Sequence, residues 1–310
     1  MSIQPIKNSQ NAKPFLKWAG GKGQLLQRFQ ELYPEELLQN KIANYYEPFL
    51  GSGAVFFDLV QRFSIKSAYL CDINEDLILT YKVIQLHINE LVEELSKLSK
   101  SYLKLDKQQR HDFFYERRKL FNEQKVKIDF EKYSHIWIQR AATIIFLNRT
   151  CYNGLYRVNL KGEFNAPFGR YENPTICDET NLFAVSKLLA IAEIRKANYS
   201  EVLHHVKNNS FVYFDPPYRP ISKTSNFKSY SNSVFTDDEQ RKLAHIFDKL
   251  DTKGIKVMLS NSDPKNIDPN DQFFDTIYNK YNIIRIPARR LINSNASKRG
   301  QVNEIVVTNY

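Results

Sequence analysis

The spacing of apolar positions changes character three times along the chain. From Gln24 onward, Leu25, Phe29, Leu32 and Tyr33 repeat at helical spacing. A short strand is predicted at Asn44–Glu47, followed by the glycine-bearing turn PFLGSG and an apolar helix beginning AVFFDLV. A second strand, 68–71, stops at Asp72. Strand, glycine turn, helix, strand and terminal acid predict a βαβ unit of the nucleotide-binding kind.

From about Glu75 to Cys177 charged, helical-looking segments dominate, among them ELVEELSKLSK and QQRHDFFYERRKLFNEQ. Ile138, Ala141, Ala142, Ile145 and Phe146 then fall at i, i+3, i+4, i+7 and i+8, one apolar helix face. Next, YNGLYRVN and GEFNAPFG have the pattern of two arms of a hairpin or loop. The alternation of strands and helices resumes at FVYFD. A helix opening TDDE places Thr236 and Glu239 for a capping box, and a strand IKVMLSN follows. The last two segments, NIIRIPARR and EIVVTNY, alternate and can pair antiparallel across the loop between them. The expected architecture is α/β, a Rossmann-like, mostly parallel sheet with an antiparallel edge, plus an inserted helical domain carrying the hairpin. Residues 1–74 and 178–310 form the first domain in this reading, and residues 75–177 the insertion.

Composition adjusts this picture only at a few points. The 310 residues carry a formal net charge of +10. That excess suits a polyanionic partner and suits a well-solvated lysine-rich surface equally well. No apolar stretch approaches a membrane span, and the polar start MSIQPIKNSQNAKP is no signal peptide. Cys71, Cys151 and Cys177 form no CxxC pair, so reduced thiols in a cytoplasmic protein are expected, with no metal site.

Three segments carry candidate chemistry. In the turn at 49–53, Phe49 and Gly51 precede Asp72 by about one βαβ spacing, and a carboxylate at a strand's end suits the hydroxyls of a ribose. There is no room for a pyrophosphate-binding GxGxxG, so a nucleoside without a diphosphate fits, S-adenosylmethionine being the common one. In FLKWAGGK, Trp18 is followed by two glycines and Lys22, free backbone and a charge for a carboxylate; the segment serves as well for a hydrophobic staple before the helix. The third segment is the most specific. The buried run FVYF ends abruptly at Asp215, Pro216, Pro217 and Tyr218. At the carboxyl edge of an open sheet such a turn offers a carboxylate, a rigidly aimed carbonyl and a stacking ring. An exocyclic amine attacking a methyl sulfonium needs these groups, because acceptors that favour a pyramidal nitrogen free its delocalised lone pair.

Together FLKWAGGK, EPFLGSG, DINEDL, NRTCYNGLYRVNLKGEFNAPFGRY, FDPPYRPISKTSNFKSY and RRLINSNASKRGQVNEIVV resemble the Dam-type, alpha-class (D12) DNA adenine methyltransferases over nearly the whole chain. The resemblance implies S-adenosylmethionine as donor, adenine N6 in double-stranded DNA as acceptor, GATC as the site and a flipped target base. It places Trp18, Lys22, Phe49, Gly51, Asp72, Asn198, Tyr199 and Asp215 at the cofactor. Asp215 to Tyr218 form the catalytic turn. Lys17, Tyr152, Asn153, Leu155, Arg157, Pro167, Arg170 and Tyr171 are placed on the DNA, with Asn295, Lys298 and Arg299 in the late loop. Arg157 also suits bidentate guanine recognition on physical grounds. Ser52 departs from the family's pattern harmlessly, and the segment 90–132 matches it poorly. A monomer is expected, working alone or beside a restriction endonuclease. Two rival readings remain: another acceptor, such as cytosine's amine or RNA, and a DNA-binding protein with a dead site. The intact DPPY turn speaks against the second.

Overall fold

The computed structural model describes residues 12–219, 235–289 and 301–310. Its elements in chain order are α1 (Leu26–Gln30), α2 (Glu35–Leu38), β1 (Asn44–Glu47), α3 (Ala54–Arg62), β2 (Ser67–Asp72) and α4 (Glu75–Leu86). Then come α5 (Ile88–Leu103), α6 (Lys107–Gln124), α7 (Ile136–Thr150), α8 (Glu179–Leu189), β3 (Ala192–Lys196), α9 (Val202–His205) and β4 (Ser210–Phe214). The chain closes with α10 (Asp237–Thr252), β5 (Lys256–Ser262), α11 (Phe273–Ile277), β6 (Asn282–Arg289) and β7 (Gln301–Thr308).

Seven strands form one sheet in the order β3-β2-β1-β4-β5-β7-β6. β1 runs parallel to β2 and β4, and β4 parallel to β5. β7 pairs antiparallel with both β5 and β6, so the sheet is mostly parallel with an antiparallel edge, as its alternating terminal segments predict. All five residues of β4 are buried, which explains its uninterrupted apolar run. From β1 the chain order turns outward in both directions, to β2 on one side and β4 on the other. Ligands of open α/β sheets bind outside the strands' carboxyl ends at such a switch point. Phe49 lies two residues past β1, and Asp215 directly follows β4.

By compactness the chain divides into two units. A helical unit comprises Met1–Gly21, Gly51–Phe57 and Asn74–Ile194; a sheet unit comprises Lys22–Leu50, Asp58–Ile73 and Arg195–Tyr310. The core of the sheet unit gathers Val212 and Phe214 of β4, Val257 and Leu259 of β5, Ile305 and Val307 of β7, and Leu243 and Phe247 of α10. Thr236 caps α10 by accepting from the Glu239 backbone N–H at 3.3 Å. In the helical unit α7 is buried almost all round, with Trp137, Ala141, Ile145 and Phe146 among its covered residues. α6 has a full capping box instead, Asp106 with Gln109.

Two local expectations change. Of the periodic run 25–33 only Leu26–Gln30 is helical, as α1, and Pro34, with extended ψ of 147°, separates that run from α2. β3 is a strand the apolar pattern does not announce, since only Ile194 of AEIRK is buried.

Candidate active site

At the end of β4 the chain leaves the sheet through Asp215, Pro216 and Pro217, which have no place in a ladder. The turn meets the start of the sheet unit. Lys22, only 3% exposed, lies 2.8 Å from Asp215 Oδ1 and donates to the Tyr218 hydroxyl at 2.9 Å. Its ammonium also sits 4.7 Å from the centroid of the Tyr218 ring. Tyr218 in turn donates to Glu304 Oε1 at 2.7 Å, and Glu304 Oε2 is 3.6 Å from Lys22 Nζ. Burial alone would lower the lysine's pKa; Asp215, Tyr218 and Glu304 together reverse this and raise it, so the ammonium stays charged. Burial pushes the Asp215 carboxyl up to about 6; Lys22 opposes that shift and Glu304 adds to it. The result is a half-shielded carboxylate poised to titrate near neutrality, with an exposed aromatic ring beside it.

The other candidate cofactor residues in the sheet unit gather at neighbouring strand ends. Asp72 closes β2, and its carbonyl accepts the Ala197 N–H at 3.2 Å just before Asn198. The Asn198 side chain accepts from Ser200 N–H and caps the turn Tyr199–Glu201. Phe49 and Tyr199 stack at 5.1 Å and 21°, Phe235 closes on both edge-on, and the Tyr199 hydroxyl donates to Glu239. Tyr199 is buried while Phe49 is only partly so, which makes Tyr199 the backing of an aromatic wall and Phe49 its face. Ala197 and Asn198 also border a groove of about 510 Å³, lined further by Tyr69, Arg195, Lys196, Glu201 and His205.

Trp18 and Gly51 belong to the helical unit. Gly51 has φ of 47°, a left-handed turn that glycine adopts without strain, and its carbonyl accepts from the Tyr81 hydroxyl. The Trp18 ring stacks on Tyr156 at 5.1 Å and 20°.

The same unit holds every described residue that the sequence reading assigns to DNA. Val158 pairs with Phe164 and Cys151 with Phe168, and Asn165 N–H donates to the Arg157 carbonyl, so YNGLYRVN and GEFNAPFG do form the arms of a short antiparallel hairpin. Along the first arm Tyr156 is buried and Arg157 half-buried. The Arg157 guanidinium is held by Asn165, Nε on its side-chain oxygen at 2.7 Å and Nη2 on its carbonyl at 2.9 Å. Among the described residues Nη1 and one hydrogen of Nη2 have no partner, a two-donor edge of the kind that fits a guanine.

Asn148, at the carboxyl end of α7, joins two of these segments. It donates to the carbonyls of Lys17 and Gly154 and accepts the Lys17 N–H. Gly154 has φ of 66°, and a Cβ there would run into the Lys17 side chain, so glycine is required where the two segments cross. Lys17 Nζ lies 5.6 Å over the Tyr171 ring. Tyr152, 59% exposed, and Asn153, at φ of 60°, stand at the turn's outer side with Pro167 and Arg170 exposed nearby in sequence. Leu155 is half-buried behind them. α6, from the segment that resembles the family poorly, supports the returning arm: Asn122 exchanges two hydrogen bonds with Phe164 and Arg118 donates to the Ala166 carbonyl. Asn295, Lys298 and Arg299 lie outside the described residues.

Sequence reasoning missed Glu304, Asn148, Asn165 and a buried triad of Asp76, Arg140 and Tyr156. Arg140 Nε donates to Asp76 Oδ1 at 2.6 Å and the Tyr156 hydroxyl to Asp76 Oδ2 at 3.1 Å. No local pattern marks such pairs, whose members lie 64 and 80 residues apart.

Residues 18–292 match the model of the D12 class N6 adenine-specific DNA methyltransferase family. The type II methyltransferase M.MjaIII of Methanocaldococcus jannaschii is 48% identical over 96% of this chain and 99% of its own length. The type II methyltransferase M1.LlaDCHI of Lactococcus lactis subsp. cremoris is 36% identical over 98% of each chain. The DNA adenine methylase of Escherichia coli is 32% identical over 95% of this chain and 94% of its own.

Proposed function

The chain belongs to the D12 class of N6 adenine-specific DNA methyltransferases, and from that premise we propose that it methylates adenine N6 within GATC, using S-adenosylmethionine and a flipped target base. The observation that carries the reading is the cluster of Asp215, Tyr218 and Lys22 at the carboxyl end of β4, beside the sheet's switch point. Within the sheet unit the donor's residues fit: a carboxylate at the end of β2 and an aromatic face at Phe49. Asp72 would hold the ribose hydroxyls, and Phe49 with Tyr199 and Asn198 the adenine, while Trp18 and Lys22 complete the set. S-adenosylmethionine, when bound, supplies an electrophilic methyl on a sulfonium.

The chain's own residues then act by position and charge. Asp215 and the Pro216 carbonyl accept hydrogen bonds from the adenine amine, and this restores density to its nitrogen. Asp215 must be ionised to serve as an acceptor, and Lys22 favours that state. Tyr218 stacks on the base. An adenine inside the duplex cannot present its amine to such a turn, which is the reason for flipping. No covalent intermediate is needed, and burial holds the thiols of Cys71 and Cys151 raised and unreactive.

In this reading residues 75–177 recognise the site. Arg157 reads guanine, Tyr152 and Asn153 fill or hold the gap, Lys17, Leu155, Pro167 and Tyr171 complete the base contacts, and Arg170 also meets the DNA. Asn295 meets the DNA, and Lys298 and Arg299 clamp phosphates. The type II names of two relatives favour pairing with a restriction endonuclease, and the enzyme acts as a monomer. Expression in a methylation-free host, followed by direct sequencing of modified bases, tests the whole reading. Modified adenine in GATC alone is expected. Modified adenine in another sequence would remove the site assignment, and modified cytosine the acceptor. Among the described residues no helix is long and apolar enough to cross a membrane.

A further inference from the structure

β7 brings to the catalytic turn a residue that the DPPY motif does not contain. Glu304 stands on β7 opposite Ser262 of β5 and Ile286 of β6, just before the buried run Ile305, Val306 and Val307. A tyrosine hydroxyl has one hydrogen to give and lone pairs to receive with. Tyr218 gives its hydrogen to Glu304 Oε1 and receives one from Lys22. The ring is therefore fixed at both ends, by two prolines in its backbone and by a carboxylate at its tip. Glu304 Oε2 has no hydrogen-bond partner among the described residues, although its side chain is only 13% exposed. A merely structural position on β7 has no use for a second carboxylate beside Asp215, since burying one against a like charge is costly.

We propose that Glu304 is a positioning residue for methyl transfer, holding the Tyr218 ring at the angle where the target base stacks and sharing the charge of Lys22 with Asp215. The proposal rests on the adenine-methylating reading of this site. It separates the motif's aromatic ring, which touches the base, from the residue that aims it, 86 positions further on.

The test is a double-variant cycle on the full chain with S-adenosylmethionine and a GATC duplex. It compares wild type, Tyr218→Phe, Glu304→Ala, Glu304→Gln and the Tyr218→Phe/Glu304→Ala pair, with thermal unfolding recorded for each. Glu304→Ala should lower kcat about tenfold or more while KM for DNA moves less than about twofold, the loss of one charged hydrogen bond acting on the reaction alone. Glu304→Gln, which keeps an acceptor, should recover most of that loss. Adding Glu304→Ala to Tyr218→Phe should cost little more, because the hydroxyl it serves is already gone. Glu304→Gln gives a second readout that does not depend on the Ala variant folding. The groups facing Asp215 are Lys22, Glu304, Tyr213, Tyr218 and the Ser260 hydroxyl. Removing the Glu304 charge should move the acid limb of kcat/KM to lower pH. Unchanged kcat in Glu304→Ala, full additivity with Tyr218→Phe, or an unmoved acid limb in Glu304→Gln would each overturn the proposal while wild type still methylates adenine. A wild-type enzyme that leaves adenine unmodified would overturn the site reading, and the proposal with it.

Discussion

Each unit contains a carboxylate buried against a base, and the two pairs serve opposite ends. In the helical unit Asp76 is 2% exposed and spends both oxygens, one on Arg140 and one on Tyr156. Arg140 is fully buried, donates to the Phe121 carbonyl and lies 4.0 Å over the Phe121 ring. In the sheet unit Asp215 keeps 22% of its side chain exposed, and its lysine is shared with Glu304 and Tyr218. A carboxylate with both oxygens engaged and no access is placed to hold a fold together. One that is partly open, and whose charge is contested by a neighbour, can meet a substrate. Burial of an ion pair therefore says little about function; the unused capacity of its carboxylate says more.

Substitutions in both units and one pH profile can break or sharpen that contrast. Asp215→Ala should reduce methyl transfer by more than about 10³-fold, at the upper end for removing one preorganised partner, with the fold retained. Turnover within threefold of wild type would leave Asp215 no more than a partner for Lys22. Arg140→Met should instead act on stability. It strands Asp76 without a base and should cost about 3 kcal/mol in urea unfolding. Adding Asp76→Asn should return part of that, and an unfolding curve unchanged by Arg140→Met would show that the pair holds nothing.

Asp72→Ala should weaken S-adenosylmethionine binding by about 1.5–3 kcal/mol, the scale of a hydrogen bond to a charged group. Calorimetry showing unaltered affinity would reduce Asp72 to a strand-end turn residue. The Asp215 pKa of about 6 adds a sign that can be checked. Its acceptor role needs the ionised form, so kcat/KM should fall as pH drops below about 6. Its linkage to folding runs the other way. With the folded pKa above the unfolded value of 3.8, the native state binds more protons between these values. This group's contribution to stability is then largest at low pH and is lost as pH rises through about 6. Activity rising and unfolding free energy falling over the same interval, both cancelled in Asp215→Asn, is the expected pattern.

How much of this could be read in the sequence follows from the range of the interactions involved. β1, β2, β4 and β5 were plain because each is buried in a run, and Asp72 and Asp215 stood out because an acid ends an apolar stretch. β3 was hidden for the converse reason, as an edge strand with one covered side chain among polar ones. The helical period over 25–33 overstated the length of α1, which stops at Gln30. The DPPY turn stands out locally by its residue types, whereas Glu304 joins it through the pairing of β7 with β5. Asn148 and the Asp76–Arg140 pair are likewise products of packing, with no spacing rule to announce them.

The smallest effect concerns the hairpin, where Arg157 and Asn165 divide one task. In the proposed reading the guanidinium presents two parallel donors to a guanine, and Asn165 holds the rest of it by two hydrogen bonds. Arg157→Ala removes the donors and should relax choice at one base pair by about 1–3 kcal/mol. Asn165→Ala leaves the charge and the donors but frees their orientation, and the backbone carbonyl of residue 165 still holds one of them. Discrimination at that same base pair should therefore fall by about 1 kcal/mol, near the net worth of one such bond. Binding to unrelated DNA should stay as it was, because no phosphate contact is lost. A phosphate clamp behaves otherwise: Lys298→Ala should weaken every sequence alike and reduce the salt slope by about one unit. Competition among all single-base variants of GATC, at two salt concentrations, separates these outcomes. If Asn165→Ala weakens all duplexes equally, the asparagine supports only the hairpin's shape. If Arg157→Ala does the same, the guanidinium is a backbone contact, and the helical unit recognises its site by other residues.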